Sequence, residues 1–152
     1  LYRYANLLIM KKIVIISGYF NPLHIGHIDY IREAKKLGDY LIVIVNNDEQ
    51  VKVKGSIPFM QERERIEIVK AFKYADEVML SIDKDKSVAK SLEAIAKKYD
   101  GELFFANGGD RYAGNIPEVA ICKEFNIKMI DGVGGAKVQS SSWLLNKIIK
   151  KH

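Results

Sequence analysis

The sequence lacks the residues and runs that would mark a disulfide-bonded, metal-binding or membrane-spanning protein. Cys122 is the only cysteine among 152 residues, so neither an intrachain disulfide nor a cysteine metal site is indicated. No apolar stretch approaches the ~20 residues that a membrane-spanning helix needs. Residues 1–9 have neither the apolar length nor the small-residue cleavage site of a secretory signal. These absences predict a cytoplasmic protein without a membrane partner.

Positive charge is in excess, with 24 Lys and Arg against 19 Asp and Glu and a formal net charge of +5. Such an excess suits nucleic acid, anionic lipid or small phosphorylated ligands. Much of it lies in pairs such as Lys35-Lys36 and Lys97-Lys98, for which a solvated helix face is the usual explanation. Aromatic and basic residues do not interleave as a platform for single-stranded nucleic acid requires. We therefore expect no nucleic-acid partner.

Apolar strands alternate with amphipathic helices along the chain. The apolar runs lie at 13–16, 40–45, 77–80, 103–106 and 127–130. The amphipathic segments lie at 28–37, 60–72, 88–99, 117–124 and 141–149. Strands that are apolar on both faces predict an α/β fold, a doubly wound parallel sheet of five strands with helices on both faces. Without an internal linker or repeat, residues 10–152 are expected to form a single domain, preceded by an extension at 1–9.

One stretch near the start concentrates residue types that bind phosphate and stabilise charge. Residues 17–27 read Ser-Gly-Tyr-Phe-Asn-Pro-Leu-His-Ile-Gly-His, between the first strand and the first helix. A tight loop entering a helix aims backbone N–H groups at a phosphate, and Gly26 lets a nucleotide approach closely. A lone loop histidine is most often structural. His24 and His27 together, around Gly26, instead favour stabilisation of charge at an attacked phosphoryl group. This stretch predicts an active site.

Further polar clusters follow three of the later strands. Asn46-Asn47-Asp48 follows the second strand, residues 107–111 (Asn-Gly-Gly-Asp-Arg) follow the fourth, and Gln139 to Ser142 follows the fifth. In a parallel sheet the carboxyl ends of the strands share one edge, where ligands bind. We therefore expect these clusters to meet the loop that carries the two histidines.

This loop resembles the signature of the cytidylyltransferase-like nucleotidyltransferases, Gly-x-Phe-(Asp/Asn)-x-x-His-x-Gly-His. The residues in register are Gly18, Phe20, Asn21, His24, Gly26 and His27. The resemblance covers nearly the whole chain from Lys12 onward. It implies a Rossmann-like fold, Mg²⁺ carried by a nucleoside triphosphate, and a homodimer, which is common in such enzymes. Asn21-Pro22 departs from the Phe-Asp form of the glycerol-phosphate cytidylyltransferases and is closer to some adenylyltransferases.

The resemblance also implies roles for individual residues. The implied catalytic residues are His24, His27 and Lys54, although a solvated loop is the competing explanation for Lys54. The implied nucleotide-binding residues are Gly18, Tyr19, Phe20, Asn21, Gly26, Gly108, Gly109, Asp110, Ser140, Ser141 and Ser142. The serine run also suits a helix N-cap, and Gly-Gly-Asp also suits a plain turn.

The expected substrate-binding residues are Asn47, Asp48, Arg65 and Arg111. Arg65 lies eleven residues before Asp76, the register in which related enzymes place an arginine near the substrate. Arg63 competes for this role, and either arginine could be a surface charge. No metal-binding cluster is expected in the chain itself, because the triphosphate would carry Mg²⁺.

The predicted function is a nucleotidyltransferase in which the phosphate of a small acceptor attacks a nucleoside triphosphate and releases pyrophosphate. The resemblance favours ATP, because Lys54-Gly55, Asn21-Pro22 and the Gly-Gly-Asp form are similar to those of adenylyltransferases, with CTP as the competitor. A sugar 1-phosphate such as heptose phosphate is the expected acceptor. Glycerol 3-phosphate, another polyol phosphate and FMN stay open. The alternatives are a nucleotide-binding module without catalysis and an RNA-binding protein.

Overall fold

The computed structural model describes residues 12–108, 116–135 and 139–150. The strands are β1 (Lys12–Gly18), β2 (Tyr40–Val45), β3 (Glu77–Leu80), β4 (Glu102–Gly108) and β5 (Lys128–Val133). The helices are α1 (Ile25–Lys35), α2 (Asp48–Val53), α3 (Glu62–Lys70), α4 (Ala89–Lys98), α5 (Ile116–Glu124) and α6 (Ser141–Ile149). The extension at 1–9 and the predicted site residues Gly109, Asp110 and Arg111 lie outside the described residues.

The five strands form one sheet in the order β3-β2-β1-β4-β5, and every neighbouring pair is parallel. β1 is central, pairing with β2 from Ile13 to Gly18 and with β4 from Lys12 to Ile15. The predicted five-stranded parallel α/β sheet is confirmed. Because the strand order reverses between β1 and β4, a crevice opens there at the carboxyl ends of the strands.

Helices cover both faces of the sheet, which explains why its central strands are continuously apolar. Alternate residues of β1 point to opposite faces: Ile13 and Ile15 pack with α4 and α5, and Val14 and Ile16 pack with α1 and α3. All four side chains are completely buried. The predicted arrangement with helices on both faces is therefore confirmed.

The polar segment after β2 is more ordered than the sequence suggested. The competing explanation for Lys54 was a solvated loop, but residues 48–53, directly before it, form α2. The Asn47 side chain accepts a hydrogen bond from the Gln50 N–H at 2.9 Å, and the Gln50 side chain accepts one from the Asn47 N–H at 3.1 Å. This reciprocal capping, with Asp48 and Glu49 in the first turn, stabilises a helix too short to persist alone.

No helix in the described part of the chain has both the length and the apolar character needed to cross a membrane. The longest described helix, α1, has 11 residues, about half of what a bilayer requires.

Candidate active site

A cavity of about 620 Å³ occupies the crevice between the carboxyl ends of β1 and β4. Its walls come from the loop after β1, the start of α1, the end of α2, the end of β5 and the start of α6. The structure brings the following predicted residues together around it: Gly18, Tyr19, Phe20, Asn21, His24, Gly26, His27, Lys54, Gly108, Ser140, Ser141 and Ser142.

The two histidines form the N-terminal cap of α1. Nδ1 of His24 accepts a hydrogen bond from the Gly26 N–H at 3.1 Å, and Nδ1 of His27 accepts one from the His24 N–H at 3.2 Å. The rings stack with centroids 3.8 Å apart. Because Nδ1 is an acceptor in each ring, a neutral imidazole here carries its proton on Nε2. The helix cap therefore fixes both the orientation and the tautomer of the pair.

Gly26 is required by the packing of His24. A Cβ at this position would lie 2.9 Å from Cε1 and 3.0 Å from Nδ1 of the His24 ring. The sequence suggested glycine here for close approach of a nucleotide. The structure adds a second reason, because any side chain would displace the imidazole from its cap.

His27 is held in the neutral form. Its pKa is lowered from 6.5 to about 3, chiefly because the ring is buried and also because His24 and Lys54 place positive charge nearby. Phe20 packs edge-on against the ring with centroids 4.9 Å apart. At neutral pH His27 therefore offers an N–H hydrogen-bond donor to an anion and no net charge.

Lys54 supplies the cationic group on the opposite wall. It ends α2, and its ammonium Nζ lies 4.3 Å from the centroid of the Tyr19 ring. Lys54 also contributes to the lowered pKa of His27, which shows that the two groups interact electrostatically. Its backbone N–H donates to the Gln50 carbonyl at 3.0 Å, so the lysine sits on a formed helix end.

The serine run places the N-terminus of α6 at the cavity. The Ser140 hydroxyl accepts a hydrogen bond from the Trp143 N–H at 3.0 Å and caps the helix. The Ser141 hydroxyl donates to the Pro22 carbonyl at 2.8 Å, which ties α6 to the loop after β1. The N-cap explanation is therefore confirmed for Ser140. A helix N-terminus at a cavity also suits an anion such as phosphate.

Arg65 does not lie where a substrate could reach it. Its side chain has no exposed surface, and it donates to the Met60 carbonyl and, at 2.6 Å, to the Asp48 carboxylate. It also donates to the carbonyls of Tyr19 and Asn46. The register predicted direct substrate binding by Arg65, whereas in this structure its side chain lies off the cavity wall and its donors are bonded to the protein itself. The guanidinium instead joins the ends of β1 and β2 to α2 and α3.

Asn47 and Asp48 are also outside the cavity, and their side chains hold the protein together. The amide of Asn47 donates to the carbonyls of Ser81 and Asp83 at 3.0 and 2.8 Å, while its oxygen caps α2. The Asp48 carboxylate accepts hydrogen bonds from Arg65 and from the Glu62 N–H. The expected contacts with a substrate are therefore replaced by structural ones.

The sequence analysis missed several residues on the cavity wall. Tyr30 lies three residues after His27 on α1, and its hydroxyl donates to the Ala106 carbonyl of β4. On α6, Leu145, Asn146 and Ile149 line the cavity beside the predicted Ser141 and Ser142. Helical spacing of three and four residues, counted from His27 and Ser142, is the signal that would have found them.

The described residues contain no group of three His, Cys, Asp or Glu side chains that could hold a metal ion. Asp29 is the acidic side chain among the residues named as lining the cavity.

Comparison with known proteins identifies the family. The family model described as cytidylyltransferase-like matches residues 15–141, which include both histidines and the start of α6. The chain belongs to the cytidylyltransferase-like family. The resemblance seen in the loop after β1 is thereby confirmed.

Two relatives match this chain over different lengths. A protein named FAD synthase from Ferroglobus placidus is 44% identical over 86 residues, which cover 57% of this chain and 54% of that protein. The bifunctional protein HldE from Citrifermentans bemidjiense is 32% identical over 146 residues, 93% of this chain and 28% of that protein. The matched stretch thus spans about half the length of the FAD synthase.

Among solved structures, the lipopolysaccharide core biosynthesis protein from Thermoplasma volcanium resembles the cytidylyltransferase-like domain. The TM-score is 0.63 at 25% sequence identity, over 84% of this chain and 98% of that one. The similarity extends over nearly the whole of that protein and supports the observed fold.

Proposed function

We propose that this protein transfers AMP from ATP to a small acceptor that carries a phosphate group, with release of pyrophosphate. One observation carries the proposal. The capped pair His24 and His27 lies in the same cavity as Lys54 and the N-terminus of α6. Hydrogen-bond donors, an ammonium group and a helix N-terminus that converge on one cavity suit a triphosphate.

The chemistry needs no covalent enzyme intermediate. An oxygen of the acceptor phosphate, already anionic, attacks the α-phosphorus of ATP, and the bond from that phosphorus to the β-phosphate oxygen breaks. Pyrophosphate leaves with the electron pair of the broken bond. Catalysis then consists of positioning and of stabilising charge on the phosphoryl oxygens. We assign the N–H donor to His27 and the neutralising charge to Lys54.

Mg²⁺ belongs to the proposal as a partner of the triphosphate. It prefers oxygen ligands and commonly binds to substrate phosphates. When bound it would neutralise phosphate charge. Asp29, a carboxylate on the cavity wall, is paired with Arg32 at 2.9 Å.

ATP is favoured over CTP by the sequence and by the relatives. FAD contains an adenylyl group, and proteins named FAD synthase are 39–47% identical to this chain over their matched stretches. Lys54-Gly55 also resembles the adenylyltransferase half of the bacterial ADP-heptose enzyme. CTP is the alternative triphosphate.

FMN is the first acceptor to test, because joining AMP to FMN gives FAD and because the FAD synthases have the higher identities. A sugar 1-phosphate is the second. The match to HldE covers 93% of the chain, and the similar solved structure is a lipopolysaccharide core biosynthesis protein. Both acceptors present a phosphate monoester, so the same chemistry serves either.

The test is a measurement of pyrophosphate release with ATP, CTP, GTP and UTP, each with FMN, sugar 1-phosphates and glycerol 3-phosphate, in the presence of Mg²⁺. Release is expected with ATP and one acceptor. The variant His27→Asn keeps an acceptor for the His24 N–H but loses the Nε2 donor, so turnover should fall by about 100-fold or more. Ile95→Val, in the distant core, serves as the matched control and should retain turnover.

The outcomes separate the alternatives. Binding of ATP without release of pyrophosphate would support a nucleotide-binding module instead, provided that His27→Asn binds ATP as tightly as the unmodified protein. Release with CTP alone would replace the adenylyl assignment by a cytidylyl one. The absence of binding to any triphosphate would contradict the proposal as a whole.

A further inference from the structure

We propose that Asn21 is a positioning residue that holds Lys54 at the reaction centre by fastening residues 57–60 to the loop after β1. The inference rests on the proposed function, since Lys54 is given its role there. It also replaces the nucleotide-binding role that the family resemblance implied for Asn21.

The hydrogen bonds of Asn21 are directed at one distant stretch of backbone. Its amide nitrogen donates to the Ile57 carbonyl at 2.8 Å. Its oxygen accepts from the N–H groups of Phe59 and Met60 at 2.6 and 3.2 Å. The residue is 5% exposed. Asn21 thus donates one hydrogen bond and accepts two, and these three bonds link it to residues 36 to 39 positions later in the sequence. We call this link the clamp.

Side-chain packing supplies little to hold residues 57–60 in place. Ile57 is 80% exposed and Phe59 is 59% exposed, although both are apolar. The position of this stretch therefore depends on hydrogen bonds to its backbone. Besides Asn21, the buried guanidinium of Arg65 bonds the Met60 carbonyl at 2.9 Å and the Tyr19 carbonyl at 2.7 Å. Both anchors lead back to the loop after β1.

Lys54 lies between two fixed points. On its N-terminal side, the amide of Gln50 donates to the carbonyls of Asp85 and Ser87, which holds α2 against the loop after β3. On its C-terminal side, Asn21 fixes the chain from Ile57 onward. Lys54, Gly55 and Ser56 connect the two points and line the cavity, and their backbone N–H groups donate to the carbonyls of α2. Loss of the second anchor would release the Lys54 end of α2 relative to His27.

The clamp requires an amide. An aspartate at position 21 would still accept from the two N–H groups, but it would bring a carboxylate oxygen to the Ile57 carbonyl, where a donor is needed. Two facing acceptors repel, so the carboxylate retains only part of the clamp. Asn21→Ala removes the clamp entirely.

The decisive experiment is a double-mutant cycle between Asn21 and Lys54, read as the rate of pyrophosphate release. With Lys54 present, Asn21→Ala should lower turnover by about tenfold or more, and Asn21→Asp by an intermediate factor. In a Lys54→Met background, Asn21→Ala should change turnover by no more than about twofold, because the group that it positions is gone. Equal losses in both backgrounds would overturn the proposal.

Hydrogen exchange supplies a readout that does not need turnover. In Asn21→Ala the amides of Phe59 and Met60 should exchange faster, while those of β1 and β2 keep their protection. Ile95→Val, a mild change in the core, should leave the exchange of residues 57–60 as in the unmodified protein. Unchanged protection of Phe59 and Met60 in Asn21→Ala would also overturn the proposal. If the unmodified protein releases no pyrophosphate, the proposed function fails while exchange still tests the clamp.

Discussion

The neutral state of His27 makes the stability of this protein depend on pH in a way that one substitution should remove. In the folded protein its pKa is lowered from 6.5 to about 3, mainly because the ring is buried. As pH falls below about 6.5 the unfolded chain takes up a proton at this ring while the folded one does not. The free energy of unfolding therefore decreases as pH falls and this effect ends near pH 3.

The magnitude follows from linkage. A group protonated only in the unfolded state changes the unfolding free energy by about 1.4 kcal/mol per pH unit. Over the whole interval from pH 6.5 to 3, His27 would remove about 5 kcal/mol. That amount is comparable to the entire stability of many small domains. The titration of His27 is therefore large enough to account for most of the decrease in unfolding free energy at acid pH.

The assay is urea unfolding followed by circular dichroism at pH 7, 6, 5 and 4, for the unmodified protein and for His27→Asn. Asparagine keeps an oxygen acceptor for the His24 N–H but does not titrate. Its loss of ring packing lowers stability by a constant amount. Between pH 6 and pH 4 the free energy of unfolding of the unmodified protein should fall by about 3 kcal/mol more than that of His27→Asn. Parallel profiles would refute the assignment of a lowered pKa to His27.

Three further substitutions test the site. Gly26→Ala places a Cβ 2.9 Å from the His24 ring. The rate of pyrophosphate release should fall by about 100-fold because the imidazole is displaced. If thermal unfolding followed by circular dichroism shows that the variant is unfolded, the effect is not local. Arg65→Met leaves a carboxylate and three carbonyls without their buried donor. Urea unfolding should show that the free energy of unfolding falls by about 3–5 kcal/mol. A decrease below about 1 kcal/mol would mean that Arg65 contributes no more than an exposed ion pair. Ser140→Ala removes the cap of α6 and should cost about 1 kcal/mol in the same assay, with Ser142→Ala as the exposed control.

Local sequence patterns were sufficient for the secondary structure and for placing the signature loop between β1 and α1. Apolar runs and helical spacing placed β1 to β5 and most of the helices within a few residues. The exception was α2, where a polar segment of six residues gave no periodic signal. Its capping pair, Asn47 and Gln50, lies three residues apart and could have been recognised as a helix start.

Tertiary structure alone decided which polar side chains face the cavity. Asn47 and Arg65 looked like ligand-binding residues in the sequence but lie away from the cavity, where they bond backbone groups of distant segments. Asn21 lies on the cavity wall, yet its side chain bonds the backbone of residues 57–60. An amide or a guanidinium can satisfy a carbonyl as readily as a phosphate, so residue type does not distinguish the two roles.

The sequence by itself determined the alternation of strand and helix, the two apolar faces of the sheet and the loop that carries His24 and His27. These depend on residues within about one helical turn or one strand of each other. The crossing of chain segments decided the neutral state of His27 and the hydrogen-bond partners of Asn21 and Arg65. The hydrogen-bond partners of Asn21 and Arg65 lie up to 46 positions away, and such partners exist only once the chain has folded.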